Sequence, residues 1–96
     1  MERSDLPPAE LLDRTHQFPC AYTFKVIGAA DADLADRIVA VVREALSHEF
    51  DPPYTVRESR GGRHIAITVE PVVQNSAEVL AVYQVIKTTE GVMMFL

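Results

Sequence analysis

The sequence predicts an α+β fold in which a four-stranded antiparallel sheet carries two helices on one face, with a short N-terminal arm or helix attached. Three observations lead there. Apolar and polar residues alternate in four short runs. In two longer runs the apolar residues recur at intervals of three and four. The runs follow one another as strand, helix, strand, strand, helix, strand.

Residues 1–17 are a polar appendage: Pro7 and Pro8 suit a first helical turn, and Leu11 with Leu12 make one apolar patch. A short helix or a disordered arm is expected there, with residues 18–96 forming a single domain. The first strand runs from residue 19 to 28, with Tyr22, Phe24 and Val26 on one side and Thr23, Lys25 and Ile27 on the other. Asp31 and Asp33 are candidate caps for a helix over residues 32–48, whose apolar side is Leu34, Ile38, Val41, Val42 and Ala45. Asp36, Arg37, Arg43 and Glu44 form its polar side. Pro52 and Pro53 cannot continue that helix, and residues 54–59 and 64–70 flank Gly61-Gly62 as a β-hairpin. Asn75 is placed to cap a second helix with the stripe Val79, Val82, Tyr83 and Ile86, which ends near Glu90 because Gly91 can turn left-handed. Residues 92–96 are the last strand.

This order is the split βαβ pattern of a ferredoxin-like βαββαβ two-layer sandwich, with residues 54–59 and 92–96 on the sheet edges. The expected core is Tyr22, Phe24, Val26, Leu34, Ile38, Val41, Val56, Ile65, Ile67, Val69, Val79, Val82, Ile86, Val92 and Met94. Two layers leave one sheet face uncovered, carrying Thr23, Lys25, Ile27, Thr55, Arg57, Ala66, Thr68, Met93 and Phe95. An apolar patch there marks a subunit or partner contact, so Lys25, Ile27, Arg57, Thr68, Met93 and Phe95 are the candidate partner-binding residues. The competing reading folds the arm back so that Leu11 and Leu12 cover the patch.

Composition narrows the function. A chain of 96 residues, 48% hydrophobic and 24% charged, is one globular domain, and no apolar run approaches the roughly 20 residues a membrane span needs. Met1 to Asp5 carry two acids and one base, and two prolines follow Leu6, which is no leader pattern; a cytoplasmic protein is expected. Nine Lys and Arg against fourteen Asp and Glu give net −5, which disfavours nucleic acid. Arg57, Arg60 and Arg63 against Glu58 are the one basic stretch. The sole cysteine, Cys20, forbids an internal disulfide and any cysteine-based metal site, and reads as a packed strand residue rather than a reactive thiol.

No catalytic constellation emerges. His16, His48 and His64 share no ligand spacing, and Ser59 and Ser76 lack an identifiable histidine and acid. No metal and no cofactor is expected. Acylphosphatase-like chemistry needs an arginine in a phosphate cradle after the first strand, whereas residues 28–33 read Gly-Ala-Ala-Asp-Ala-Asp. RNA stacking needs exposed aromatics where the hairpin offers His64, Ala66 and Thr68. Arg60-Gly61-Gly62-Arg63 has the composition to hold a phosphate or carboxylate, against the simpler reading of a solvated hairpin tip. Lys25, alone in a central strand, covers apolar surface with its stem or pairs with Glu70 across the sheet.

The run Phe18-Pro19-x-x-Tyr22-x-Phe24-Lys25-Val26-Ile27-Gly28 resembles the YbeD-like family of small bacterial proteins. So do the helix after it, the Ser59-Arg60-Gly61 turn, the Ala66-Ile67-Thr68-Val69 strand and Val92-Met93-Met94-Phe95-Leu96. The resemblance covers about residues 17–96. It implies a ferredoxin-like fold similar to ACT regulatory domains, with no established activity and no catalytic residues. By likeness to ACT domains, a small ligand would sit at the loop 28–34, with Gly28 and Asp31 as candidates; Arg60, Gly61 and Arg63 are the other ligand-binding candidates. The expected function is a non-enzymatic regulatory or adaptor domain acting through its open sheet face on a protein partner or a second copy. The alternative is an ACT-like sensor of an amino acid or other metabolite.

Overall fold

The computed structural model describes residues 6–31 and 33–96. Its elements are α1 (Ala9–Thr15), β1 (Cys20–Ala21), β2 (Phe24–Ala29), α2 (Leu34–Ala45), β3 (Tyr54–Glu58), β4 (His64–Val69), β5 (Val72–Val73), α3 (Ser76–Lys87) and β6 (Val92–Phe95). Alternation makes β2 two-faced, with Phe24, Val26 and Gly28 buried and Lys25 and Ala29 exposed. β4 repeats the pattern with Ile65, Ile67 and Val69 buried. The main sheet runs β3-β4-β2-β6 with every neighbouring pair antiparallel, the strand order of a ferredoxin-like fold. β3 and β6 are its edges, as expected. The core lies between this sheet and α2 with α3, around Phe24, Leu34, Ile38, Ile67, Val82 and Ile86.

The expected first strand is two elements. Ladder pairing is interrupted at Tyr22 and Thr23, and Cys20 and Ala21 pair with Val73 and Val72 in a small second sheet apart from the main one. The Tyr22 N–H donates to the Pro71 carbonyl at 3.0 Å, extending that pairing.

The helices are shorter than their apolar patterns suggest. Ala32, the expected start of the first, lies outside the described residues, as do residues 1–5 of the arm. α2 stops at Ala45 because Ser47 takes a left-handed φ of 55°. The N–H groups of Ser47 and His48 then close on the carbonyls of Glu44 and Arg43 at 3.1 and 2.9 Å, a Schellman ending without glycine. α3 starts as expected, with Asn75 Oδ1 accepting from the Glu78 N–H at 2.9 Å and Glu78 Oε1 accepting from the Gln74 N–H at 2.7 Å. It ends at Lys87 rather than near Glu90. The Thr88 and Thr89 hydroxyls donate back to the carbonyls of Gln84 and Val85 at 3.1 and 2.6 Å.

Three expectations about packing are corrected. Val56 is 47% exposed and Met94 51% exposed, so neither is core. β3 packs chiefly on β4, so the helices do not reach Val56; Met94 is turned over by a bulge described below. Tyr22, Val41 and Val92 are half-buried, and Val39 is buried instead. Among the described residues the arm does not fold over the open sheet face. α1 packs on α3, and Leu12, 2% exposed, joins the common core while Leu11 faces solvent.

Candidate functional site: the open sheet face

Register builds the open face in two rows. Lys25 stands beside Thr68, which stands beside Thr55; Ile27 stands beside Ala66, which stands beside Arg57. β6 extends the rows on the other side, where Met94 faces Ile27. Lys25 and Leu96 exchange backbone hydrogen bonds at 3.2 and 2.8 Å. Together these side chains and the edge of Phe95 line a hollow of about 480 Å³.

Met93 and Phe95 are the residues expected from β6; the structure brings Met94 and Leu96 to this face in their place and leaves only the edge of Phe95 there. The register slips between Ile27 and Gly28, so that Gly28 faces Val92 while Ile27 faces Met94. Met93 is therefore the extra residue of a β-bulge, and everything after it changes face. Phe95 turns its ring toward Tyr83 on α3, 5.6 Å away between centroids. The cause is a close approach. Gly91, at φ 98°, lays its carbonyl oxygen against Gly28 and accepts from the Ala29 N–H at 3.2 Å. A Cβ on Gly28 would collide with that oxygen and with Leu34 Cδ2.

Of the six partner candidates, Lys25, Ile27, Arg57, Thr68 and the edge of Phe95 line the hollow, and Met93 does not. The Lys25–Glu70 pair is not formed; Glu70 instead accepts the Thr23 hydroxyl at 3.3 Å. Among the described residues neither Lys25 nor Arg57 has an ion-pair partner, the salt bridges there being Arg37–Asp31 and Arg43–Asp51.

The loop 28–34 uses its polar groups internally. Asp31 accepts from the Asp33 N–H at 2.9 Å and from Arg37 Nη2 at 3.0 Å. Those two bonds, the backbone one first, hold the Asp31 carboxyl below its ordinary range. Arg37 also donates to the Glu90 carbonyl at 3.2 Å, tying the start of α2 to the turn before β6. Its Nε is buried without a partner. Reading Arg37 only as part of a solvated helix face missed this clamp; an aspartate six residues ahead of an arginine one turn into a helix was the available signal.

The hairpin tip is separate from the hollow. Gly61 and Gly62 adopt φ of 88° and 68°, and the Gly62 N–H donates to the Ser59 carbonyl at 2.9 Å. Arg60 and Arg63 are exposed beyond the end of β3. The Arg63 carbonyl accepts from the Ala30 N–H at 3.1 Å.

An aromatic row crosses beneath the sheet. Tyr22, Phe24 and Tyr83 have centroids 4.7 to 6.1 Å apart, and the Tyr22 and Tyr83 hydroxyls lie 3.1 Å from each other. Burial, and then the Tyr22 hydroxyl, push the Tyr83 phenol well above its ordinary value. Cys20 is half-buried and packs against the core. Among the described residues no three His, Cys, Asp or Glu gather as a metal site, and no helix is long and apolar enough to cross a membrane.

Comparison with known proteins places this architecture. The sequence pattern of the family described as "Protein of unknown function (DUF493)" matches residues 13–96. A "UPF0250 protein" of Shewanella sediminis is 36% identical over 80 residues, covering 83% of this chain and 89% of its own. "UPF0250 protein PM1928" of Pasteurella multocida is 33% identical over 91 residues, covering 95% and 100%. The solution structure of protein HP0495 from H. pylori superposes with a TM-score of 0.66 at 19% identity, over 97% of this chain and 98% of that one, a likeness of fold. The chain thus belongs to the DUF493 family of proteins of unknown function, the YbeD-like group that its first strand resembles.

Proposed function

We propose that the chain is a non-enzymatic regulatory or adaptor domain that docks a protein partner on the open face of its main sheet. The observation that carries this is the make-up of that face. Ile27, Met94 and Leu96 form an apolar centre, and Lys25 and Arg57 flank it without ion-pair partners among the described residues. A chain of net charge −5 that presents two unpaired cations around uncovered apolar surface favours an acidic partner surface with an apolar centre. Face-to-face packing of a second copy would set Lys25 and Arg57 of both copies against one another, so charge opposes that occupant here. The test is affinity capture from the source cell's lysate with the wild-type chain and with an Ile27→Glu/Met94→Glu chain. A protein held by the first and lost from the second supports the reading; recovery of the same proteins by both refutes it.

The hollow also supports a second reading, a metabolite sensor, because about 480 Å³ falls within the range of small-molecule sites. Its ligand would be a carboxylate with an apolar body, held between Lys25 and Arg57 rather than at the loop 28–34. Thermal-shift screening of amino and keto acids tests it: binding raises the melting temperature by an amount set by ligand concentration over Kd. Absence of any shift, or a shift retained in Arg57→Ala, removes this reading.

A further inference from the structure

The free edge of β3 is a complete pairing template. Tyr54 faces Val69, Val56 faces Ile67 and Glu58 faces Ile65 across the β3–β4 ladder. The Glu70 N–H donates to the Pro53 carbonyl at 2.9 Å and the Ser59 N–H to the His64 carbonyl at 2.8 Å. Those two bonds set the alternation: residues 53, 55, 57 and 59 turn their backbone polar groups toward β4, and Tyr54, Val56 and Glu58 turn theirs outward. No hydrogen bond among the described residues uses these outward groups. All five residues of β3 are exposed, and no proline interrupts the strand. Such an edge recruits another strand unless something blocks it.

We propose that a second copy of the chain pairs along this edge, β3 against β3, antiparallel and centred on Val56, so that the two main sheets become one. The inference goes beyond docking on the open face and does not depend on it. Its register follows from the residues. Centred on Val56, the partner's Val56 lies opposite Val56 and the partner's Glu58 lies opposite Tyr54. Every outward N–H then meets an outward carbonyl, and on the open face Thr55 stands beside the partner's Arg57. Sliding the strands by two residues in one direction, which moves the axis to Arg57, sets Arg57 against the partner's Arg57, a like-charge contact. Sliding them the other way sets Glu58 against the partner's Pro52, which has no N–H to give. A hollow of about 330 Å³ runs between β3 and α2 along Ala35, Val56 and Ile65. The partner's Tyr54, standing opposite Glu58 on that side of the sheet, is positioned to cover it with an apolar ring and keep its hydroxyl in water.

Light scattering on the full chain across a dilution series is the test, with amide exchange of residues 54–58 as a second readout. The expected mass is twice the 10.7 kDa of one chain, with slowed exchange at Val56. Val56→Pro removes one outward N–H while leaving the ladder to β4 intact, and Val56→Lys adds repulsion on the same axis without a backbone change. Both are expected at the single-chain mass with wild-type circular dichroism; if Val56→Pro does not fold, Val56→Lys decides. A wild-type chain that stays at single mass overturns the proposal, as does a folded Val56→Lys chain that keeps double mass. Ile27→Glu/Met94→Glu should stay double; its dissociation would move self-association to the open face and overturn the proposal too.

Discussion

Gly28→Ala tests the contact that sets the phase of the open face. The added methyl must enter space already held by the Gly91 carbonyl oxygen and Leu34 Cδ2. The carbonyl is part of the backbone and is anchored by the Ala29 N–H, and Leu34 is fully buried, so neither can swing aside as a surface side chain would. Overfilling a packed site costs about 1–3 kcal/mol, and replacing glycine in a strand returns roughly 0.5–1 kcal/mol of backbone entropy. With the cost at the upper end, because one obstacle is main chain, the net loss is about 2 kcal/mol. For a domain of this length that lowers the melting temperature by roughly 8–16 °C. Thermal unfolding followed by far-ultraviolet circular dichroism measures it. A melting temperature within about 2 °C of wild type would refute the close approach, and with it the explanation of why Met94 and Leu96, rather than Met93 and the ring face of Phe95, reach the open face.

Two further outcomes are expected. Because the folded chain holds the Tyr83 phenol above its ordinary value of 10.0, the unfolded chain releases that proton first as pH rises. The Tyr83 share of stability is therefore whole below about pH 10 and declines above it, by at most ~1.4 kcal/mol per pH unit. Melts at rising alkaline pH should show Tyr83→Phe losing stability less steeply than wild type; equal slopes contradict the burial of the Tyr83 phenol. Leu12→Ala should cost about 3 kcal/mol in denaturant unfolding, as for a buried leucine of the main core. A cost near zero would mean that the arm does not share that core.

Sequence periodicity made the sheet, both helices, the edge strands and every residue of the hollow except Met94 and Leu96 legible, because a period of two or 3.6 assigns faces within an element. It does not count across an element whose register changes. Phe95 and Met94 exchanged places because a turn three residues away docks on Gly28, a contact between residues 63 positions apart. The same limit explains Leu12, whose burial depends on α3, and the short β1, whose partner Val72–Val73 is too brief to carry a pattern. Val56 looks like core by alternation alone. Its exposure follows from where the helices lie over the sheet, which strand composition does not encode. Arg37 was legible as a helix residue, but its role depends on Glu90 and Asp31 meeting at one end of the fold.

The chain contains three tyrosines and no tryptophan, so its intrinsic fluorescence comes from phenols standing in two different settings. Tyr22 and Tyr83 share a hydrogen bond that joins the first strand region to α3, and their emission changes when those parts separate. Tyr54 stands on the free strand edge, and its emission follows whatever comes to rest there. Tyr54→Phe leaves a chain whose light reports folding alone, and the wild-type signal minus that one becomes an optical record of events at the sheet edge, with no label attached.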